Sequence, residues 1–389
     1  MKKKILFVYY TMMLGGSTTS LLSLLDNIDY DKYDVDLLLY RNEGPLISYI
    51  PEKVNLLPEA HIKQSKTSKI LKGVLSGRII RACMHGKRHF GRFRPTLQGM
   101  SYAQLLYSRK LKAEYDVAVG FLELWSDVYA NLRVNAKKRI SWIHVDYEKA
   151  HYIAKTDEKM LSHSDVIVHV SEECKQNFIN ALPSLADKCV YIPNILTKSF
   201  ILKRTGESIE VPPMDKDSLK LLSVCRVAID HKGLDRGVRA LKRLKDEGKK
   251  IVWAIIGDGP DVERLKALIA ESGMEKEILL LGKTNSPFGC YDKFDAFFVP
   301  SRFEGKPMAV TEAQMLSLPP IVTEYASAHE QVENGVDGIV TENSEDGIYA
   351  ALSCVYEDRA LLLRLKENTA KRNYDNTDDL SQIYTLLDT

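Results

Sequence analysis

Long apolar runs are missing from this sequence. Nowhere in its 389 residues is there an uninterrupted apolar stretch of about 18 residues, the length a bilayer-spanning helix needs, so no membrane span is expected. Cysteine is scarce and scattered. Cys83, Cys174, Cys189, Cys225, Cys290 and Cys354 lack the paired spacing of a zinc site or a disulfide-dense secreted module, which leaves reduced thiols in a cytoplasmic protein as the expectation. Acidic residues vanish between Glu59 and Glu114, a segment holding thirteen lysines and arginines, although the formal net charge of the whole chain is only +2. Neither Gly-x-Gly-x-x-Gly nor a lysine-bearing P-loop occurs, so neither a nicotinamide fingerprint nor a nucleotide triphosphatase is supported.

What is present is ordinary for a globular protein, with 45% apolar and 27% charged residues, and the length suits two domains that each bury a core. Short β-rich runs at Ile5 to Tyr9, Val35 to Leu39, Val117 to Gly120, Arg139 to His144 and Val166 to Val170 alternate with longer amphipathic segments. That alternation predicts parallel strands with crossover helices. The pattern restarts after a polar, Pro-containing stretch, with strands predicted at Leu219 to Val224, Lys250 to Ile256, Ile278 to Leu281, Ala296 to Val299 and Pro320 to Thr323. The expected division is therefore a first domain over 1–196, a linker over 197–217 and a second domain over 218–389. Helix is predicted from Glu357 onward, with Leu361, Leu362, Leu363 and Leu365 as its apolar face. The start, Lys2-Lys3-Lys4 before an apolar stretch, has the charge pattern of a signal peptide. Its passage into Gly15-Gly16 and a Ser/Thr cluster instead fits a buried strand entering a phosphate loop.

Three constellations carry chemistry. In the first, Tyr9 to Ser17 leads through Gly15-Gly16 into a helix whose N–H groups and positive dipole end attract phosphate; a plain turn would look the same. In the second, Arg226 is followed six residues later by Lys232-Gly233, just beyond a predicted strand, where two cations suit a diphosphate or merely decorate a solvated loop. In the third, Val299 to Ala313 places Glu304 in a Gly/Pro loop and Glu312 one to two turns into the next helix. One helix start can then offer N–H groups and two carboxylates to a ligand with vicinal hydroxyls, although acids also favour helix N-termini for dipole reasons alone.

The run Ser301 to Glu312 resembles the Glu-x7-Glu signature of the retaining family 4 glycosyltransferases. Other pieces fall in that family's order: Gly15-Gly16, Trp142-Ile143-His144, Ser164 to Ser171, Ile192-Pro193-Asn194, Arg226 with Lys232-Gly233, and Ile256 to Pro260. The resemblance implies an α/β protein of GT-B architecture: two Rossmann-like domains facing each other across a cleft, an acceptor-binding N-terminal one and a nucleotide-sugar-binding C-terminal one, with the C-terminal helix packing back toward the first. It implies that Arg226 and Lys232 meet the donor pyrophosphate, Glu304 the donor sugar and Glu312 the ribose hydroxyls. Backbone N–H groups across Gly305, Lys306, Met308 and Ala309, with Pro307 between them, would meet sugar and phosphate. Gly15 and Gly16 would leave room for the diphosphate, and His144 would touch the sugar near the reacting carbon. Arg226, Lys232, Glu304 and His144 are thus the implied catalytic set. The implied reaction moves a hexose or N-acetylhexosamine, with retention, from a UDP-linked donor to a glycan or lipid-linked acceptor in capsule, exopolysaccharide or cell-wall polymer synthesis. No cofactor or metal is implied, and no Asp-x-Asp sits at a predicted strand end. Three positions depart from the family pattern: Cys225 and Ser317 replace usual glycines, and Pro319-Pro320 doubles a single proline.

The basic segment mixes Lys63, Lys66, Lys69, Lys72, Arg78 and Arg81 with aliphatic residues, then sets Lys87, Arg88, Arg92 and Arg94 around Phe90 and Phe93. This pattern suits either a solvated basic face or anionic lipid on the inner face of the cell membrane. No nucleic-acid motif accompanies it, so nucleic acid is not an expected partner. Two rivals remain at this stage. A nucleotide-sugar epimerase or dehydrogenase would need the missing dinucleotide loop, and a non-catalytic glycan-binding scaffold would not need both cations and both acids.

Overall fold

A computed structural model of the protein describes residues 2–62, 73–75, 96–148, 150, 152–206, 209–325 and 327–389. The chain forms two units, Met1–Leu196 together with Asn376–Thr389, and Thr197–Asp375.

The first unit is built on seven strands: β1 (Lys3–Tyr9), β2 (Tyr33–Leu39), β3 (Asn55–Leu56), β4 (Glu114–Gly120), β5 (Asn135–Ile143), β6 (Val166–His169) and β7 (Cys189–Tyr191). They lie in the order β3-β2-β1-β4-β5-β6-β7, every pair parallel. The runs Ile5 to Tyr9 and Leu37 to Leu39 are buried without alternation, as central parallel strands covered on both faces must be. The helix Gly16–Asn27 returns the chain from β1 to β2 and buries Leu21, Leu22, Leu24 and Leu25. The helix Leu380–Asp388 completes this unit: Tyr384 stacks on Tyr33 with ring centroids 5.8 Å apart, and the ammonium groups of Lys3 and Lys138 donate to the carbonyls of Leu387 (3.1 Å) and Leu386 (2.7 Å). The end of the chain therefore packs back onto the N-terminal sheet.

The second unit holds β8 (Leu219–Val224), β9 (Ile251–Ile256), β10 (Ile278–Gly282), β11 (Ala296–Val299), β12 (Pro320–Thr323) and β13 (Ile339–Thr341), ordered β10-β9-β8-β11-β12-β13 and again all parallel. Helices Leu234–Asp246, Val262–Glu271 and Met308–Met315 make crossovers, and Glu345–Glu357 follows the last strand. The stretch expected as a linker is folded into this unit from Thr197. Thr197 caps the helix Lys198–Lys203, Phe200 and Ile201 are buried, and Arg204 reaches the Asn285 carbonyl at 2.5 Å. In each sheet the strand order reverses beside its first strand, between β1 and β4 and between β8 and β11, where ligands of open α/β sheets gather at the carboxyl ends. No described helix is long and apolar enough to cross a membrane. Cys174, Cys189, Cys225, Cys290 and Cys354 are free thiols.

Candidate functional site

Two loops meet at the carboxyl edge of the second sheet. Beyond β8, the short helix Ile229–Lys232 ends in Gly233, whose φ of 62° is left-handed; a methyl group there would overlap the Pro300 carbonyl oxygen. Glycine thus lets the Lys232 loop lie directly on the exit of β11. From the other side, Arg302 grips Asp235 with a two-point fork (2.8 and 2.7 Å), and its backbone N–H donates to the His231 carbonyl at 2.9 Å. So clamped, the loops bring the Lys232 ammonium to Oε1 of Glu304 at 2.6 Å, and the Ser301 hydroxyl donates to the same oxygen at 2.6 Å. Burial pushes the Glu304 carboxyl up, but His231, Lys232 and Ser301 outweigh it and hold the group below its ordinary value. Cys225, Lys232, Ser301, Glu304, Pro307 and Ala309 all line one concavity at this edge.

The other residues singled out from the second half surround this pair unevenly. Gly305 and Lys306 are exposed, and Pro307 leads into the helix Met308–Met315, whose first turn has no side-chain cap and no acid. Its leading N–H groups are left for whatever approaches from outside. Glu312 is buried on that helix, with no hydrogen bond to its carboxyl among the described residues. Burial lifts its pKa to about 7 against the opposing pull of the Arg204 charge. Arg226 behaves differently from Lys232: its side chain is exposed and, among the described residues, has no ion-pair or hydrogen-bond partner, while its neighbour Cys225 lines the concavity.

The corresponding edge of the first sheet carries Gly15, Gly16 and His144. Gly15 is the N-cap of the first helix in extended conformation (φ 172°), and among the described residues a methyl group on it would meet nothing within 4 Å. The Tyr9 hydroxyl pairs with Ser17 (2.8 Å) and Thr18 (3.0 Å), fixing the strand end to the first helical turn. Among the described residues neither buried nitrogen of the His144 ring has a hydrogen-bond partner, and burial, opposed by the nearby Phe121 backbone and Asn194 side chain, lowers its pKa to about 4, so the imidazole is neutral at physiological pH. One residue escaped the sequence reading. Glu123, in the loop after β4, accepts the backbone N–H of His144 at 3.1 Å, yet burial still raises its pKa. The next residue, Leu124, has a φ of 69°, which is strained for a side chain other than glycine. Glu123 follows β4 much as Glu304 follows β11, the equivalent strand of the other sheet, a parallel that shows only once the strand order is known.

The basic residues Lys63, Lys66, Lys69, Lys72, Arg78, Arg81, Lys87, Arg88, Arg92 and Arg94, with Phe90 and Phe93, lie outside the described residues. Among the described residues, no group of three His, Cys, Asp or Glu side chains is arranged to hold a metal ion.

Residues 205–372 match the family model for glycosyl transferases group 1. The amylovoran biosynthesis glycosyltransferase AmsK of Erwinia amylovora is 24% identical over 388 residues, spanning 93% of this chain and 91% of that protein. The Escherichia coli UDP-Gal:alpha-D-GlcNAc-diphosphoundecaprenol alpha-1,3-galactosyltransferase is 35% identical over 117 residues, 30% of each protein. Among solved structures, Anabaena HepE in complex with UDP-glucose matches 99% of both chains with a TM-score of 0.67 at 15% identity. The two parallel-sheet units are the GT-B fold.

Proposed function

We propose that this glycosyltransferase moves a hexose or N-acetylhexosamine from a UDP-sugar to a glycan or lipid-linked acceptor in the synthesis of a surface polysaccharide, with retention as in family 4 and without a divalent metal. The observation that carries the reading is the Lys232–Glu304 pair, drawn from the loops after β8 and β11 and set in a concavity at the reversal of strand order. An ammonium has three protons, and Glu304 takes one, so two remain for diphosphate oxygens. Arg226, free to swing from its exposed position, adds the second cation, and the uncapped start of the helix Met308–Met315 adds N–H groups. Glu304 receives sugar hydroxyls and Glu312 the ribose hydroxyls. Gly15 and Gly16 leave space for the diphosphate, and neutral His144 supports the sugar beside the anomeric carbon.

In this mechanism the bond from the anomeric carbon to the diphosphate breaks with positive charge growing on the sugar and negative charge on the leaving oxygen. Lys232 and the helix start are fixed positive potential at that oxygen, aligned before the reaction begins, and Arg226 adds its charge once it swings in. The acceptor hydroxyl attacks from the same face, and its proton passes to the departing phosphate oxygen. The N-terminal unit holds the acceptor, and the basic segment from Lys63 to Arg94 brings the protein to anionic lipid at the cytoplasmic face of the membrane, which liposome flotation with and without anionic lipid tests.

The decisive test is donor turnover in folded Lys232→Ala and Glu304→Ala variants. Losses of about 100- to 1,000-fold in kcat/KM are expected from removing such preorganised groups, and near-normal rates in both would reject the assignment. Turnover should also survive dialysis against EDTA; a requirement for added Mg²⁺ or Mn²⁺ would overturn the metal-independent part.

A further inference from the structure

The two oxygens of Glu304 are used unequally. Oε1 accepts from both Lys232 and Ser301 at 2.6 Å, which occupies its lone pairs. Oε2 has no hydrogen bond among the described residues, although the side chain is only 8% exposed. The group it faces is Nε2 of His231, 3.7 Å away. That separation is too long for a direct N–H···O bond. A single oxygen placed about 2.8 Å from both atoms would close the gap.

The imidazole is held where it can do this. Its ring stacks on Phe303 at 4.3 Å between centroids and 7° between planes, while the Arg302 N–H to His231 carbonyl bond ties the two loops together. Phe303 is itself 57% exposed, an unusual position for a large apolar ring, and its inner face is spent on the histidine. His231 directly precedes Lys232, so consecutive residues address the two oxygens of one carboxylate.

We infer that His231 and Oε2 of Glu304 form a two-point clamp for one hydroxyl of the donor sugar. The hydroxyl oxygen accepts from the Nε2–H of His231, and its own proton goes to Oε2. This inference rests on the reading of Glu304 as the residue that meets the donor sugar, and it adds a residue that selects among sugars. A sugar that lacks this hydroxyl leaves a buried carboxylate oxygen unpaired, which a site of this kind rejects strongly.

The test is calorimetric titration of wild-type, His231→Ala, His231→Gln and Phe303→Ala proteins with UDP and with UDP-glucose, UDP-galactose, UDP-N-acetylglucosamine and UDP-N-acetylgalactosamine. Wild type should bind one of the sugars more tightly than UDP. In His231→Ala that advantage should shrink about 10-fold while UDP affinity holds. His231→Gln, which keeps an N–H donor, should recover part of it, and Phe303→Ala should lose part. If His231→Ala keeps the full advantage, or loses UDP and sugar affinity equally, the clamp is refuted and the Glu304 assignment stands. If wild type binds no sugar better than UDP, both readings fall.

Discussion

At Glu312, placing a carboxyl inside the protein has a measurable consequence. Its pKa rises from 4.5 to about 7 through burial, so between those values the folded protein holds a proton that the unfolded chain has released. Stability therefore falls as pH climbs through this window and levels off above it. The full cost is about 3 kcal/mol at most. Glu312→Gln should match wild type in denaturant unfolding at pH 4.5 and exceed it at pH 8, while binding UDP less well at the higher pH. An unchanged difference between the two pH values would show that the carboxyl is compensated in the folded state. Gly15 makes the opposite point. Its extended backbone suits any residue, and nothing among the described residues fills the space beside it. Threonine is about as good an N-cap as glycine, so Gly15→Thr should melt with wild type yet lose at least about 10-fold in donor turnover if a diphosphate needs that room. Gly15, Lys232, Glu304 and Glu312 were singled out in the sequence, their individual roles being implied by the family resemblance rather than by spacing. Glu123 and His231 were not, because their meaning depends on which loop ends a parallel sheet brings side by side.

Elements were readable in proportion to their burial. The strands β8, β11 and β12 carry the ends expected from their apolar runs, and β1, β2, β4, β5, β6, β9 and β10 differ by a few terminal residues. Three strands went unseen: β3 (Asn55–Leu56), β7 (Cys189–Tyr191) and β13 (Ile339–Thr341) are short and largely half-buried, all at sheet edges, where at most a brief apolar run marks them. Leucine clusters mislead for a related reason. In the helix Arg359–Lys371, Leu362 and Leu365 are buried at helical spacing while Leu363 faces solvent. The helix Met308–Met315 ends in a Schellman motif: the Leu318 N–H bonds the Ala313 carbonyl (2.9 Å), and the Ser317 N–H bonds the Gln314 carbonyl (2.9 Å). Ser317 pays for this turn with a φ of 61°, the left-handed conformation that glycine adopts freely, and this is one of the two places where the resemblance led us to expect glycine. Ser317→Gly should therefore stabilise the protein by about 0.5–1 kcal/mol in chemical denaturation. Ser317→Ala should give no gain, since it keeps the Cβ that causes the strain.

On the scale of the whole molecule, sequence pattern distinguished two α/β units but misplaced their limits, because composition does not record where a helix docks. The polar stretch after Leu196 reads as a linker, yet Phe200, Ile201 and Arg204 anchor it to the second unit. The last helix falls within the 218–389 span assigned to the second domain, yet it packs back on the first as the family resemblance implied, with Leu380, Ile383 and Leu387 buried there. Asn376 secures the chain's return there: its side chain accepts from the Leu196 N–H at 2.8 Å and donates to the Asn194 carbonyl at 3.0 Å. Each buried leucine or isoleucine side chain contributes about 1.5–3 kcal/mol, so ending the chain after Asp375 should remove on the order of 5 kcal/mol from the first unit alone. In scanning calorimetry the truncated protein should show one transition lowered by roughly 10 °C and a second, from Thr197–Asp375, left in place. Hydrogen exchange should locate the loss around Lys3, Tyr33 and Lys138, the residues that the helix Leu380–Asp388 covers or receives bonds from. Equal lowering of both transitions would mean that the two units unfold as one, and no lowering would mean that the terminal helix is an ornament on a sheet already stable without it.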